Sequence, residues 1–392
     1  MGTGLYVLSP YFFMKSNKHI FPAIPFAPKL GISLIVDQPV KTTFKEIVSI
    51  LEEDKKKIMV KAETTIEKNS DIAESILNIF LNDVFLFGPK EYVTDQKEYW
   101  INLFNKYVAK NKPIPCNIMG FPFKIPVALK TSRLKPDLGD LLSLNLFFVL
   151  SKTIKKIYPP GLNITIVSED SFFRFSGVTE KEAMEYQNFL RKISEMFGYD
   201  TEVHFKNLSE VISKFPDFEE TYKKTYAKNT ENYANNETAL VDKINSILPS
   251  IFYIVDSRQY SEDDLYEVYL DSEAVSQNPN LQTIKDDLKK KSIETALKYI
   301  SFLDTRDILK IFETEFPDSV RLSYAPKPGR IGVRPGGEKM ILLPTHGVPV
   351  KFKNDDTFSI VYLHDILNDA KKYEASYFES DEEDKPFFYI EK

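Results

Sequence analysis

Two lysines in a stiff loop are the first residues whose type and spacing could do chemistry. Lys124 and Lys130 belong to the run Gly120-Phe121-Pro122-Phe123-Lys124-Ile125-Pro126, which continues through Arg133 to Pro136-Asp137-Leu138-Gly139-Asp140. Prolines and phenylalanines restrict the backbone, which suits the loop to presenting ammonium groups in fixed positions. Asp137 stands where an N-cap belongs, and the helix start behind it favours anions through free backbone N–H groups and the macrodipole. Two ammonium groups beside such a start can grip a phosphate, each charge-assisted hydrogen bond contributing about 1.5–3 kcal/mol. The competing reading is a surface loop with solvated lysines.

Two further segments carry candidate groups. Arg321 lies within the apolar strand pattern Val320-Arg321-Leu322-Ser323-Tyr324, and a guanidinium there must find a carboxylate, a phosphate or backbone carbonyls. It either clamps a substrate carboxylate or pairs with an internal acid. Lys327-Pro328-Gly329-Arg330 follows, but it has neither the Gly-Lys-Ser/Thr ending nor the helix of a nucleotide-binding loop. His346, in Leu343-Pro344-Thr345-His346-Gly347-Val348, sits at a strand end where an imidazole can face a cleft; a lone histidine can equally be structural.

These groups need a scaffold. Asp71 can cap a helix over 72–87, with Ile72, Ile76, Ile79, Phe80, Val84 and Phe87 at helical spacing. Strands are expected at 31–36, 114–119 and 162–168, and helices at 43–53, at 138–157 (amphipathic) and at 180–197. The middle, 218–316, is mostly helical, with its longest helices at 218–247 and 284–303 and a loop at 272–281. Short strands are expected at 320–324, 331–333, 340–343, 350–352 and 357–361. The order implies an α/β fold: a mixed, partly parallel sheet flanked by helices, a helical middle segment and a β-rich C-terminal part. The expected divisions are an N-terminal extension over 1–65, a catalytic domain over 66–375 and an acidic C-terminal tail over 376–392.

Composition removes several classes. A net charge of -6 with 28% charged residues of both signs argues against a nucleic-acid binder. One cysteine permits no intrachain disulfide, and four scattered histidines (His19, His204, His346, His364) have no metal-ligand spacing, so no metal is expected. Proline and lysine interrupt every apolar run near the N-terminus, so neither a secretory signal nor a membrane span is expected, and the protein is expected to be cytoplasmic.

The same three segments resemble the pyoverdine/dityrosine biosynthesis family of isocyanide (isonitrile) synthases. Phe121 to Leu144 resembles the family's F-P-F-K-x-P…K…P-D-x-x-E-x-L-S-L block, with Asp140 in place of the glutamate. Phe316 to Pro326 resembles F-P-D-x-V-R-L-S-x-H-P, with Ala325 in place of the histidine. Leu343 to Val348 resembles T-P-W-H-G-V, with Thr345 in place of the tryptophan, and Glu169-Asp170-Ser171 replaces an acidic-Gly-Arg turn. The resemblance implies a cofactor-independent enzyme that converts the α-amino group of tyrosine or tryptophan to an isonitrile, with ribulose 5-phosphate as carbon donor and a lyase-type carbon–carbon cleavage. A formyl-tyrosine-forming relative and a catalytically weakened metabolite binder are the alternatives. The implied roles are phosphate binding for Lys124, Lys130 and Arg330, carboxylate binding for Arg321, and proton transfer for His346 and Asp137, with Lys124 also catalytic. A downstream oxygenase of the same pathway is the implied partner.

Overall fold

The computed structural model describes residues 40–64, 71–121, 123–125, 130–131, 133–337, 339–354, 357–379 and 385–392. The expected strand at 31–36 and residues 380–384 of the expected acidic tail lie outside them. The α/β class holds, with two five-stranded sheets.

The first sheet is parallel throughout. It comprises β2 (Ile114–Gly120), β3 (Leu162–Ser168), β4 (Val203–Asn207), β5 (Val320–Ser323) and β6 (Ile331–Gly332) in the order β4-β3-β2-β5-β6. The second is mixed: β1 (Val40–Thr42), β7 (Val348–Lys351), β8 (Phe358–Val361), β9 (Tyr373–Phe378) and β10 (Phe388–Glu391) in the order β1-β9-β10-β7-β8. The boundary placed at 376 falls inside β9, and Phe388–Glu391 is a strand of the same sheet. Near the other expected boundary, the helix Phe44–Glu63 packs on Leu138–Lys155.

That helix, Leu138–Lys155, is the centre of the molecule. It touches β3 and β4 of one sheet and β7 of the other, and it is buried on nearly every side rather than amphipathic. A helix apolar all round belongs in a core, and its polar residues must then be paired internally. Asn145 donates to Leu51 O (3.2 Å) and to the Asp54 carboxylate (2.8 Å).

Four elements differ from expectation for local reasons. The helix opened by Asp71 ends at Phe80. Asn82 then accepts from Val84 N through its side chain (2.9 Å) and from Phe85 and Leu86 N through its carbonyl, which turns the chain. Phe87 N donates to Gly332 O, so the turn hands Phe87 to the end of β6. The helix expected over 218–247 breaks at Asn235 and at Asn236, which is left-handed (φ 55°), leaving Phe218–Ala234 and Thr238–Ile251. The loop expected at 272–281 is helical: Ser272–Gln277, then Asn278 capping Pro279–Ile308 with proline in the first turn. Residues 340–343 form no strand; a turn closes on Gly337 O, and Pro344–His346 is a 3₁₀ turn. Among the described residues no helix is long and apolar enough to cross a membrane, and no group of acidic, histidine or cysteine side chains is arranged to hold a metal ion.

Candidate active site

The parallel sheet fixes where a ligand can sit. From β2 the chain winds outward to β3 and β4, then returns to place β5 and β6 on the other side of β2. Connections leave β2 and β5 in opposite directions, so a crevice opens at their C-terminal ends. A cavity of about 530 Å³ lies there, lined by Met119 and Gly120 of β2, Arg321 to Ser323 of β5 and the following Tyr324, Ala325 and Pro326. Phe87, Tyr92, Phe121, Phe123 and Phe172 make much of the lining aromatic. Phe121 turns the chain at the end of β2 in a left-handed conformation (φ 51°), and Gln187 Nε2 fixes it by donating to its carbonyl (2.6 Å). A non-glycine residue held there by a buried hydrogen bond is a strained feature of the kind that gathers at functional sites.

Lys124 follows that turn, and its surroundings correct the role expected of it. Its side chain is fully buried and ion-paired to both Asp137 and Asp140, the latter at 3.2 Å. Asp137 caps the helix, accepting from Gly139 N (2.9 Å), while its own N–H donates to the Asp140 carboxylate (2.9 Å). The Tyr186 hydroxyl donates to Asp140 Oδ1 (2.8 Å). Carboxylates therefore already occupy the helix start, and Lys124 neutralises them. Neither the ammonium nor the helix end is free for a phosphate. Burial pushes the Asp137 carboxyl up to about 6 against the pull of Lys124. Asp140, not Asp137, lines the cavity.

Lys130 is also buried and lines the cavity, but it has no carboxylate partner among the described residues. Its ammonium lies over the Tyr253 ring, 5.7 Å from the centroid. Burial pushes its pKa down to about 8. His346 lines the same cavity with its Nδ1 buried and unpartnered among the described residues. Burial, then the Lys130 charge, pushes the imidazole down to about 3. A neutral imidazole can donate or accept a hydrogen bond, but so weak a base is poorly suited to the proton transfer expected of His346.

Cations gather instead beyond β5 and β6. Arg321 and Arg330 line the cavity, with Lys327 and Arg306 close behind. Arg321 lies over Phe312 (4.9 Å) and reaches Glu313 only at 3.5 Å. The Arg330 side chain has no ion-pair partner among the described residues. Burial, then Arg321 and Arg306, pushes Arg330 down to about 9, and burial, then Arg330 and Arg321, pushes Lys327 down to about 8. Guanidinium groups keep their protons in proteins, so the push on Arg330 marks a buried cation beside excess positive charge that Asp307 and Glu313 offset only in part. A dianion would offset it.

Glu169 was not among the expected site residues. It follows β3 directly, lines the cavity, and has no side-chain partner among the described residues. Burial pushes its carboxyl up to about 7, against the pull of Arg306. A carboxyl poised there can take or give a proton near neutral pH. Its position just past the C-terminal end of a central parallel strand was the available signal.

A family model described as pyoverdine/dityrosine biosynthesis protein matches residues 104–374. An L-tyrosine isonitrile synthase of Xenorhabdus nematophila is 25% identical over 268 residues, covering 66% of this chain and 74% of that one. One from Pseudomonas aeruginosa is 26% identical over 273 residues, covering 67% and 76%. The spore wall maturation protein DIT1 of Saccharomyces cerevisiae is 29% identical over 100 residues, 26% of this chain and 17% of its own. The crystal structure of the PvcA protein from Pseudomonas aeruginosa superposes with a TM-score of 0.61 at 19% identity, covering 81% of this chain and all of that one, a likeness of fold.

Proposed function

The chain belongs to the pyoverdine/dityrosine biosynthesis protein family, and from that premise we propose that it is an isonitrile synthase. Its substrates in this reading are an aromatic amino acid, tyrosine or tryptophan, and ribulose 5-phosphate as donor of the isonitrile carbon. One observation carries the reading: a single cavity at the switch point of the parallel sheet combines an aromatic lining with a cluster of cations that neighbouring acids offset only in part. An aromatic amino acid and a phosphorylated sugar between them present the complementary groups.

Arg330, with the charges of Lys327 and Arg306 behind it, binds the phosphoryl group, and Arg321 binds the amino-acid carboxylate. Because one cluster holds both anions, the amine and the sugar carbonyl are brought together, which removes much of the entropy cost of their encounter. The amino-acid side chain packs among the aromatic residues, excluding water. Glu169 moves protons during condensation and the later loss of phosphate and carbon–carbon cleavage. Neutral His346 hydrogen-bonds the reacting oxygen. Lys124, Asp137 and Asp140 brace the start of the central helix, and of the three Asp140 lines the cavity.

Purified protein incubated with tyrosine or tryptophan and ribulose 5-phosphate should form the corresponding isonitrile, detected by mass spectrometry. A formyl amino acid as the first product would support the dityrosine-type alternative. Binding without any product would support a catalytically weakened relative, a reading favoured by Ala325 on the cavity wall where the family pattern has histidine.

A further inference from the structure

The two loop lysines have opposite surroundings, and the contrast assigns them different work. Lys124 is clamped by two carboxylates. Lys130 is also buried, yet it faces an aromatic ring and a neutral imidazole, with no acid paired to it among the described residues. Its backbone is fixed, the Lys130 carbonyl accepting from Leu363 N (3.1 Å). An ammonium is no nucleophile; the free amine is. With burial holding Lys130 at about 8, roughly a tenth of it is neutral at pH 7, several hundred times more than for an ordinary lysine. Burying an amine without an acid in a substrate-sized cavity serves covalent chemistry with a carbonyl better than anion binding, which Arg321 and Arg330 already provide.

We infer that Lys130 is a covalent catalytic residue: its Nζ condenses with the carbonyl carbon of the ketose phosphate to give a Schiff base, which the amino acid's amine then displaces. The inference rests on the reading of the cavity as one that takes a ketose phosphate. In the first step the amine lone pair forms the C–N bond, the carbonyl π pair moves to oxygen, and that oxygen takes a proton. That first proton comes from the nitrogen; a second, from the Glu169 carboxyl, lets the nitrogen lone pair expel the oxygen as water and leaves a protonated C=N. In the second step the substrate amine adds to that carbon, a proton passes to Nζ, and Lys130 leaves as free amine. One water is released and no electrons are exchanged with an outside reagent. The iminium is more electrophilic than the ketone, which is the gain over direct condensation.

The test is reductive trapping on the full chain. Protein mixed with ribulose 5-phosphate is treated with sodium borohydride and mapped by peptide mass spectrometry, while isonitrile formation is followed in a parallel sample without borohydride. The expected result is one adduct, heavier by the sugar phosphate less one oxygen, on the peptide carrying Lys130, and a fall in its yield when tyrosine or tryptophan is added. Lys130→Arg keeps the charge but forms no imine, and it should lose the adduct and at least 100-fold of turnover with its far-ultraviolet circular dichroism unchanged. Isonitrile formed by protein that traps no adduct on Lys130 would overturn the covalent role and leave the proposed function standing. An adduct on Lys130 without isonitrile from any amino acid would uphold the covalent role and remove the proposed function. Trapping confined to other lysines, or full turnover by Lys130→Arg, overturns the inference.

Discussion

Replacing Lys130 by methionine should stabilise the protein at neutral pH while destroying its activity. Methionine fills a similar volume and carries no charge to desolvate. The interval between an ordinary lysine at 10.5 and Lys130 at about 8 amounts to about 3 kcal/mol held against the folded, protonated state. The contact with the Tyr253 ring returns about 1 kcal/mol, which leaves about 2 kcal/mol in favour of the variant. The sign follows from linkage: the folded state binds its proton less tightly than the unfolded state. The penalty is therefore complete below about pH 8, shrinks as pH rises from there to 10.5, and vanishes above. His346, beside Lys130, does not oppose this trend, because it is neutral throughout the window. Urea unfolding of both proteins at pH 7, 9 and 10.5 measures it. The variant should unfold at higher urea at pH 7, and the two curves should converge by pH 10.5. A variant less stable than the parent at pH 7, or a gap that does not close with pH, would refute the picture of an unpaired, desolvated ammonium.

Lys124→Ala should do the opposite. It leaves Asp137 and Asp140 facing each other without the ammonium paired to both, so chemical denaturation should register a loss of about 3–5 kcal/mol. Arg330→Ala removes charge-assisted bonds to the phosphoryl group and should raise KM for the sugar phosphate about 10- to 100-fold, with KM for the amino acid and the melting temperature nearly unchanged. Glu169→Gln keeps the shape of the residue but cannot take up a proton, so kcat should fall by about 10²–10⁴. The parent should show an inflection near pH 7 from Glu169 that the variant lacks, and steady-state kinetics across pH 5.5–8.5 would reveal both effects.

Local structure is legible in this sequence, whereas the pairing of its charges depends on tertiary contacts. Asp137 opening the central helix and the strands β2, β3 and β5 are written in neighbouring residues: a capping aspartate and alternating apolar runs. Which of the two loop lysines would be neutralised is not written there. Lys124 meets Asp137 and Asp140 beyond the left-handed turn at Phe121, and Lys130 lies over Tyr253, which comes from the turn after the helix Thr238–Ile251, far along the chain. Arg321 was recognised as a charge within an apolar strand, but its place beside Arg330 and Arg306 depends on the topology of the sheet. Glu169 was read only as a departure from a family pattern. Its position at the end of β3 acquires meaning once the strand order places the cavity.

The reading of the cavity is tested most directly by isotope transfer. Protein supplied with unlabelled tyrosine or tryptophan and uniformly ¹³C-labelled ribulose 5-phosphate should yield an isonitrile heavier by a single ¹³C, and Arg330→Ala should slow its formation at low sugar phosphate. An unlabelled isonitrile, or consumption of neither substrate by well-folded protein, would contradict a site that joins an amino acid to a sugar phosphate.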